Sequence, residues 1–515
     1  MIFKKKLKYQ SHRSRCRVSA IGAIIYSVMI SVVFASVACA DESAVASASK
    51  LGITQVLQQV IDTYPSLEKA AISVQQAKVK VDQVRGQLDW RLQAAAGVSR
   101  DPGLFLGTTD NIKTSASFSR RLENGDSVSL TGSLVKSDSE MSFAPNLPNP
   151  SYNTQIRLNY RKPLLQGKGS PGLTGDINNA EVGIEIAQAS RKSAYENVLR
   201  QVIELFYSIN TTVRQVENIH QSLQRTKRLK KFIESRLNLG IAEDKDMLQI
   251  LAQIDGQNAQ LQVLDTAMRQ QFINLNRLLT KHWDSPLNLE LKHASADDKG
   301  YQENLDLVKT RSPSLAIVDY QLKVVENNIN KIRDAAKDAA DLVFFAGGQS
   351  LSGDATTGSV SENNGIGGVS IEYRIDQGNK SKAALLADAQ FQQDMTLLEK
   401  KQILQNIEYD VAELVSGIQS VKAAEAAYQK SVNSELKKLE DAEKRYRRGR
   451  IDIDRVIGFE NQLSASELSL EIQRIEIERR RELLSVLNGE IWNRLTLPSV
   501  DATVQTPNAA AGSTN

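Results

Sequence analysis

The sequence predicts a mainly α-helical fold with a smaller β portion, made of two copies of one unit. Each copy reads as a helix, strands, a long helix, a turn and a second helix. Helical patterns open with Tyr-Pro-Ser-Leu at residues 64–67 and with Ser-Pro-Ser-Leu at residues 312–315. Turns centred on Gly240 and Gly449 each divide a long helical pattern from a shorter one. Such a repeat predicts pseudo-symmetry within the subunit and, commonly, a ring of subunits.

Residues 1–40 have the three-part form of a secretory signal peptide. A basic stretch precedes an apolar run over residues 18–37 and a small-x-small cleavage site that ends at Ala40. We therefore predict cleavage after Ala40 and a mature chain that begins at Asp41. The alternatives are a retained membrane anchor and a lipidated Cys39 as the first mature residue.

The excess of basic residues belongs to the signal peptide. The whole chain has 64 basic and 60 acidic residues, and residues 1–40 hold seven of the basic ones, which leaves 57 against 60 and a net charge of −3. The mature chain therefore gives no reason to expect nucleic acid as a partner. Both cysteines, Cys16 and Cys39, would leave with the signal. The mature chain would then have no disulfide, thiol nucleophile or cysteine metal ligand.

Apolar residues at helical spacing predict the helices of both repeats, residues 41–285 and 286–495. The predicted helices cover residues 54–88 with an interruption at Pro65, 174–238, 246–280, 303–340, 380–447 and 454–489. At 1.5 Å per residue, a helix of about 65 residues is about 100 Å long. The two shorter helices of each half match that length when they stack end to end. We therefore predict a long antiparallel bundle.

Between the helices the apolar period changes to two, over residues 91–162 and about 341–375, which predicts strands. The clearest alternation runs from Tyr152 to Tyr160. Asn124-Gly125 lies between two alternating runs and is a strong hairpin signal that the second half lacks. We predict four strands in the first half and two in the second. Loops rich in Gly, Pro, Ser and Asn are predicted at residues 101–111, 137–151 and 351–365.

The alternating strands suit a membrane. A tilted strand of about 9 to 11 residues spans a bilayer, and strands with one apolar and one polar face fit a closed barrel. Open sheet edges cannot face lipid, so the few strands of one chain would have to share a barrel with further copies. The alternative is a small soluble sheet at the end of a coiled coil.

From residue 52 to about residue 493 the chain resembles the TolC-type outer-membrane efflux protein family. Three features carry the resemblance: the repeated Pro-Ser-Leu helix starts, the segment Tyr-Arg-Lys-Pro-Leu-Leu-Gln-Gly at residues 160–167, and the turns at Gly240 and Gly449. It implies a homotrimer with a shared β-barrel in the outer membrane and an α-helical tunnel in the periplasm. The family's usual barrel takes four strands per subunit. The extra hairpin here predicts six per subunit and eighteen in all, an even number as such barrels require.

The function that the resemblance implies is the exit duct of a tripartite efflux or type I secretion system. Such a duct is a passive conduit, opened at its periplasmic tip by an adaptor protein and an inner-membrane transporter. Its partners would be further copies of itself, that adaptor, that transporter and outer-membrane lipid. The alternative function is a trimeric coiled-coil stalk or adhesin without a pore.

The resemblance also assigns candidate residues at the tip. The tips, where the adaptor docks, match Leu239, Gly240 and Ile241 in the first hairpin and Arg448, Gly449 and Arg450 in the second. The two glycines are also expected as helix C-caps.

The gate of the resembled family is held by polar pairs, and one pair matches Tyr446 and Asp246. Asp246 is equally a candidate N-cap of the following helix. The aspartate ring of the family falls on Arg455 and Gly458 in this sequence. Any charged ring would then come from Asp452, Asp454 or Arg455.

The remaining features predict neither an enzyme nor a cofactor. Gly167 to Ser170 lacks the glycine spacing of a phosphate-binding loop, and we assign Pro163 and Gly167 to the strand-to-helix swivel. The histidines of the mature chain, His220, His282 and His293, lie in unrelated segments and predict no metal site. The tail over residues 496–515 is predicted to be disordered.

Overall fold

The structure is a computed structural model, and it describes residues 50–103, 107–140, 145–240, 243–291, 299–375 and 380–498. The predicted signal peptide lies outside these residues, as do Ile241, His293 and all but the first three residues of the predicted tail. The described residues within 51–285 and from 289 onward form one compact unit. The second unit consists of residues 1–50 and 286–288 and lies almost wholly outside the described residues.

Eight α-helices occur in the described residues. They are α1 (Ile53–Thr63), α2 (Pro65–Arg85), α3 (Pro171–Asn238), α4 (Asp244–Leu278), α5 (Tyr301–Arg311), α6 (Pro313–Ala335), α7 (Lys380–Arg447) and α8 (Ile453–Leu487). The long helices α3 and α7 have 68 residues each, and the helices that follow them have 35 each. A helix of 68 residues is about 100 Å long. Within the described residues, no helix combines the length and the apolar character that crossing a membrane requires.

The helix predicted over residues 303–340 is two helices in the structure. Pro313 is the first residue of α6, and Ser312 before it has an extended backbone, because a proline ring disfavours the helical conformation of the preceding residue. The Ser312 hydroxyl accepts a hydrogen bond from the Leu315 N–H at 3.4 Å and so caps α6. The helix ends at Ala335, earlier than predicted. Pro65 separates α1 from α2 in the same way.

Six strands occur in the described residues and form one antiparallel sheet, in which each strand pairs with the next one along the chain. They are β1 (Arg91–Gly103), β2 (Gly107–Arg121), β3 (Ser127–Ser139), β4 (Ser151–Pro163), β5 (Ala339–Ala355) and β6 (Gly358–Arg374). The loops predicted at residues 101–111 and 351–365 were wrong over most of their length, because strands continue through them. Small polar residues occupy both faces there, which hides the alternation without weakening the backbone ladder.

The register places most of the large apolar side chains of the strands on one face. Leu92 pairs with Phe118, Phe118 with Leu130, and Leu130 with Leu158. On the other face, Gln93, Ser117, Thr131 and Arg157 occupy the adjacent row. The apolar face is exposed in the single chain: Val98 is 79% exposed and Ile371 is 70% exposed. A surface of this kind requires lipid or another chain to cover it.

The helices pack around the two long ones. The contacts of α3 are with α1, α2, α4, α6 and α8, and those of α7 are with α5, α6 and α8. One apolar cluster, here called the tip cluster, joins α3, α4, α7 and α8 near the two hairpin turns. It consists of Ile233, Ile250, Leu439, Ala442, Tyr446, Ile453, Val456 and Leu463. The two hairpins are therefore held together at their ends by a shared apolar core.

Candidate functional site

The two hairpin turns have the same backbone geometry. Gly240 and Gly449 both have φ of +69°, in the left-handed region that favours glycine. The Gly240 N–H donates to the Leu237 carbonyl and the Gly449 N–H to the Tyr446 carbonyl, each at 2.9 Å. Both glycines thus close the ends of long helices. Any docking role of these turns is an addition to the capping role.

The two turns differ in the side chains that they expose. Leu239 is 71% exposed beside Gly240, whereas Arg448 and Arg450 are exposed on either side of Gly449. Ile241, the third residue predicted at the first tip, lies outside the described residues. The first turn therefore offers an apolar side chain and the second offers two cations.

The structure brings Tyr446 and Asp246 together. The Tyr446 hydroxyl donates to Asp246 Oδ2 at 3.4 Å, a long bond for an O–H donor. Tyr446 lies in the tip cluster, and burial together with the nearby Asp246 carboxylate raises the pKa of the phenol to about 12. The bond joins α7 of the second hairpin to α4 of the first. It is a polar link between the two hairpins.

Arg236 and Phe232 complete the surroundings of Tyr446. The guanidinium of Arg236 donates from Nη1 to the Tyr446 carbonyl at 3.0 Å and lies 5.5 Å from the centroid of its ring. The Phe232 ring meets the Tyr446 ring edge-on, with 5.9 Å between centroids. Arg236 and Phe232 are in α3, so α3 also fixes the position of Tyr446.

Asp246 is not the N-cap of α4, which corrects that alternative. The cap is Glu243, and the helix begins at Asp244, so Asp246 occupies the third helical position. A carboxylate in the first turn still interacts favourably with the helix dipole. Its predicted partnership with Tyr446 and its position at the helix start are thus compatible.

The other residues predicted for the gate lie at the start of α8. Asp452 is the N-cap of α8, and Asp454 is in its first turn. Asp454 and Arg455 are both exposed. A ring of charge needs several copies of the chain, so its composition stays a prediction.

A buried polar layer, not anticipated from the sequence, lies next to the tip cluster. Arg225 Nε donates to both carboxylate oxygens of Glu460 at 2.8 and 2.9 Å, and its Nη2 donates to Glu467 at 2.9 Å. The Ser222 hydroxyl donates to Glu460 at 2.8 Å, and the Gln257 amide donates to Ser222 at 2.8 Å. Burial raises the pKa of Glu460, against the lowering effect of the bonds from Arg225. This layer again joins the first hairpin to the second.

The predicted strand-to-helix swivel is the segment between β4 and α3, and the turn between β2 and β3 holds it in place. The Gly167 N–H donates to Asp334 Oδ2 at 2.8 Å, and the Gly169 N–H donates to the Asn124 carbonyl at 3.1 Å. A Cβ added at Gly125 would lie 2.4 Å from the Gly167 carbonyl oxygen, so this turn needs a glycine. Pro163, the other predicted swivel residue, ends β4. The Asn124-Gly125 turn therefore lies at the helical end of the sheet.

Aromatic side chains lie at both ends of the apolar face. At the helical end the rings of Trp90 and Phe118 stack with centroids 4.4 Å apart, and Tyr160 lies 6.2 Å from Phe344. At the far end Lys136 lies 5.9 Å from the centroid of the Tyr152 ring. An apolar band bordered by aromatic rings is typical of strands that face a bilayer, where amphipathic rings lie at the headgroups.

Comparison with known proteins gives matches among solved structures alone. No protein-family model matches the chain, and no curated protein does. A structure of CusC is 16% identical, with a TM-score of 0.64 over 86% of this chain and 92% of that one. The outer-membrane channel OprN is 14% identical, with a TM-score of 0.64 over 85% and 89%. VceC from Vibrio cholerae, an outer membrane protein, is 15% identical, with a TM-score of 0.62 over 85% and 95%.

The chain has the TolC-type fold. The predicted resemblance is confirmed at the level of the fold. Because the identities are only 14 to 16%, these matches establish the arrangement of helices and strands. They do not establish the roles of individual residues.

Within this TolC-type fold, sequence reasoning missed the Arg225–Glu460 layer. The two residues are 235 positions apart, and each alone looks like one more charge on a polar helix. The spacing of buried positions along α3 could have indicated this layer. Ser222 lies between Ile219 and Leu223 on the buried side of α3, so a polar residue occupies an apolar stripe.

Proposed function

We propose that this protein is the outer-membrane exit duct of a tripartite efflux or type I secretion system. The observation that carries the proposal is the sheet, whose exposed apolar face has aromatic rings toward both ends and whose opposite face is mostly polar. The strands have 13 to 17 residues, enough to cross a bilayer when tilted. The TolC-type fold supports the same function, because OprN is an outer-membrane channel and VceC is an outer membrane protein.

The sheet edges support assembly of several copies. Among the described residues, β1 and β6 each pair on one side only, and an open edge cannot face lipid. We propose that β6 of one subunit pairs with β1 of the next in a homotrimer. Three copies would close a barrel of eighteen strands, with the apolar face toward lipid and the polar face toward a water-filled lumen. The α-helical tunnel would then lie in the periplasm.

The tip is proposed as both gate and docking site. Tyr446 and Asp246 would hold the second hairpin against the first while the duct is closed. An adaptor protein would engage the turns at Gly240 and Gly449, and the inner-membrane transporter would supply the energy. A passive conduit needs no catalytic residue or cofactor.

Conductance after reconstitution tests the proposal. The full chain, expressed with its signal and extracted from membranes, is fused into planar bilayers. We expect extraction by detergent only, discrete current steps, and a threefold particle in negative-stain electron microscopy. A stalk or adhesin would give neither current steps nor a need for detergent. Absence of current steps, or extraction without detergent, would exclude the channel function and favour the coiled-coil alternative.

A further inference from the structure

One basic side chain on the polar face of the sheet is stacked on an aromatic ring. The guanidinium carbon of Arg157 lies 4.0 Å from the centroid of the Phe345 ring. Phe345 pairs with Asn159, two residues from Arg157, so both side chains are on the same face of β4 and β5. A guanidinium over an aromatic ring at this distance is a cation–π contact. The contact fixes where the charge of Arg157 lies.

The adjacent strand provides the space for the ring. Phe345 pairs with Gly368 of β6, and a Cβ added at Gly368 would lie 2.8 Å from the ring. The ring therefore lies directly over a position that has no side chain. Three strands build the arrangement: β4 supplies the cation, β5 the ring and β6 the space.

Arg157 forms no ion pair with the described residues. Two acidic residues on the same face, Asp341 and Glu372, pair with Arg161 instead. Nε of Arg157 is buried and lacks a hydrogen-bond partner in the described part of the chain. The register surrounds it with neutral hydroxyl and amide side chains, namely Thr131, Ser129, Ser133, Gln155 and Asn159. Its positive charge is therefore available to a solute.

We propose that Arg157, stacked on Phe345, is a binding site for anionic solutes that carry carboxylate or phosphate groups. The proposal rests on the proposed function, because the polar face must line a water-filled passage. A planar guanidinium stacked on an aromatic ring suits both groups, since its edge offers paired N–H donors. In a threefold assembly three such cations lie at one height, where they concentrate anions and deplete cations.

Thiol labelling beside Arg157 tests the local potential without depending on the gate. Thr131, directly opposite Arg157 on β3, is replaced by cysteine in the full chain and reconstituted into vesicles. The rates of modification by an anionic reagent, sulfonatoethyl methanethiosulfonate, and a cationic one, trimethylammonioethyl methanethiosulfonate, are compared. The parent chain without Thr131→Cys corrects for Cys16 and Cys39.

We expect Arg157→Gln to lower the anionic-to-cationic rate ratio by about twofold at 0.1 M salt, because one charge next to the labelled position, within the screening length, is lost. Lys136→Gln is the matched control, since it removes one charge from the opposite face, where Lys136 also lies near an aromatic ring. It should leave the ratio unchanged. Inorganic pyrophosphate should slow the anionic reagent in the chain that retains Arg157 and not in Arg157→Gln. An unchanged ratio and no protection by pyrophosphate would overturn the inference.

Two further variants separate charge from stacking. Arg157→Lys should keep most of the rate ratio and lose pyrophosphate protection, because an ammonium lacks the planar fork. Phe345→Leu should weaken protection while the charge stays. If Arg157→Gln does not assemble, raising the salt to 1 M should by itself reduce the ratio of the Thr131→Cys chain, and a constant ratio would contradict the proposal. A Thr131→Cys thiol that no aqueous reagent reaches would instead contradict the polar lumen, and with it the proposed function.

Discussion

Replacing Arg225 by methionine should destabilise the helical bundle strongly, although the substitution is apolar and of similar size. Glu460 is 5% exposed and receives three of its hydrogen bonds from Arg225 and Ser222. Without Arg225, its carboxylate stays buried with the Ser222 hydroxyl as its remaining donor among these contacts. Removing one partner of a buried ion pair costs about 3–5 kcal/mol, because the other charge is left uncompensated.

The size of the expected melting shift follows from the helical content. The eight helices contain roughly 270 residues, and at about 2.1 cal/mol/K per residue their unfolding entropy is about 0.6 kcal/mol/K. A loss of about 4 kcal/mol then lowers the melting temperature by about 7 °C. The measurement is thermal unfolding in detergent at pH 8, followed by far-ultraviolet circular dichroism.

Two control variants make the result specific. The double variant Arg225→Met with Glu460→Leu should recover most of the loss, because it leaves no buried charge. Arg269→Met breaks an exposed pair with Asp265, in which the arginine side chain is 77% exposed, and should change the free energy of unfolding by less than about 1 kcal/mol. If Arg225→Met melts like the unmodified protein, or if the double variant is no more stable than Arg225→Met, the reasoning from buried charge is refuted.

Three further predictions concern the gate, pH dependence and the sheet. Tyr446→Phe combined with Asp246→Ala should raise single-channel conductance, because the double variant removes the link between the hairpins. The control is Tyr409→Phe, at an exposed tyrosine. Unchanged conductance in the double variant would show that the pair is not part of the gate. Burial raises the pKa of Glu196 to about 7, from 4.5 in the unfolded chain. The stabilisation by its protonated form is therefore complete below about pH 4.5 and is lost as the pH rises through 7. Glu196→Gln should raise the melting temperature by about 5 °C at pH 8 and hardly at pH 4.5, whereas equal shifts at both pH values would exclude titration as the cause. Deleting residues 114–136 removes most of β2 and β3, so β1 loses its partner strand. We therefore expect loss of detergent-stable oligomers and of conductance. Normal insertion and conductance would show that the barrel wall does not need this hairpin.

Local patterns in the sequence were sufficient for most of the secondary structure. The Asn124-Gly125 turn, the break at Pro65 and the long helices depend on neighbouring residues, and the structure has each of them, whereas the break before Pro313 was not predicted. The prediction failed where local cues were weak. Residues 351–365 look like a loop because glycine, serine and asparagine occupy both faces, yet β5 and β6 of 17 residues each pair through them. The N-cap of α4 is Glu243 and not Asp246, because boundary residues depend on where the chain leaves the turn.

The sequence by itself determined which segments are helices and strands, and the family resemblance drawn from it named the Tyr446–Asp246 pair. For the other contacts between distant side chains, tertiary structure alone decided which residues meet. Arg225 reaches Glu460 across 235 residues, and Arg157 rests on Phe345 because β4 pairs with β5 in one register. A shift of that register by one residue would send Phe345 to the other face of the sheet. Periodicity fixes the face of each element separately, whereas the contacts between elements follow from how they pack, which no short stretch of sequence encodes.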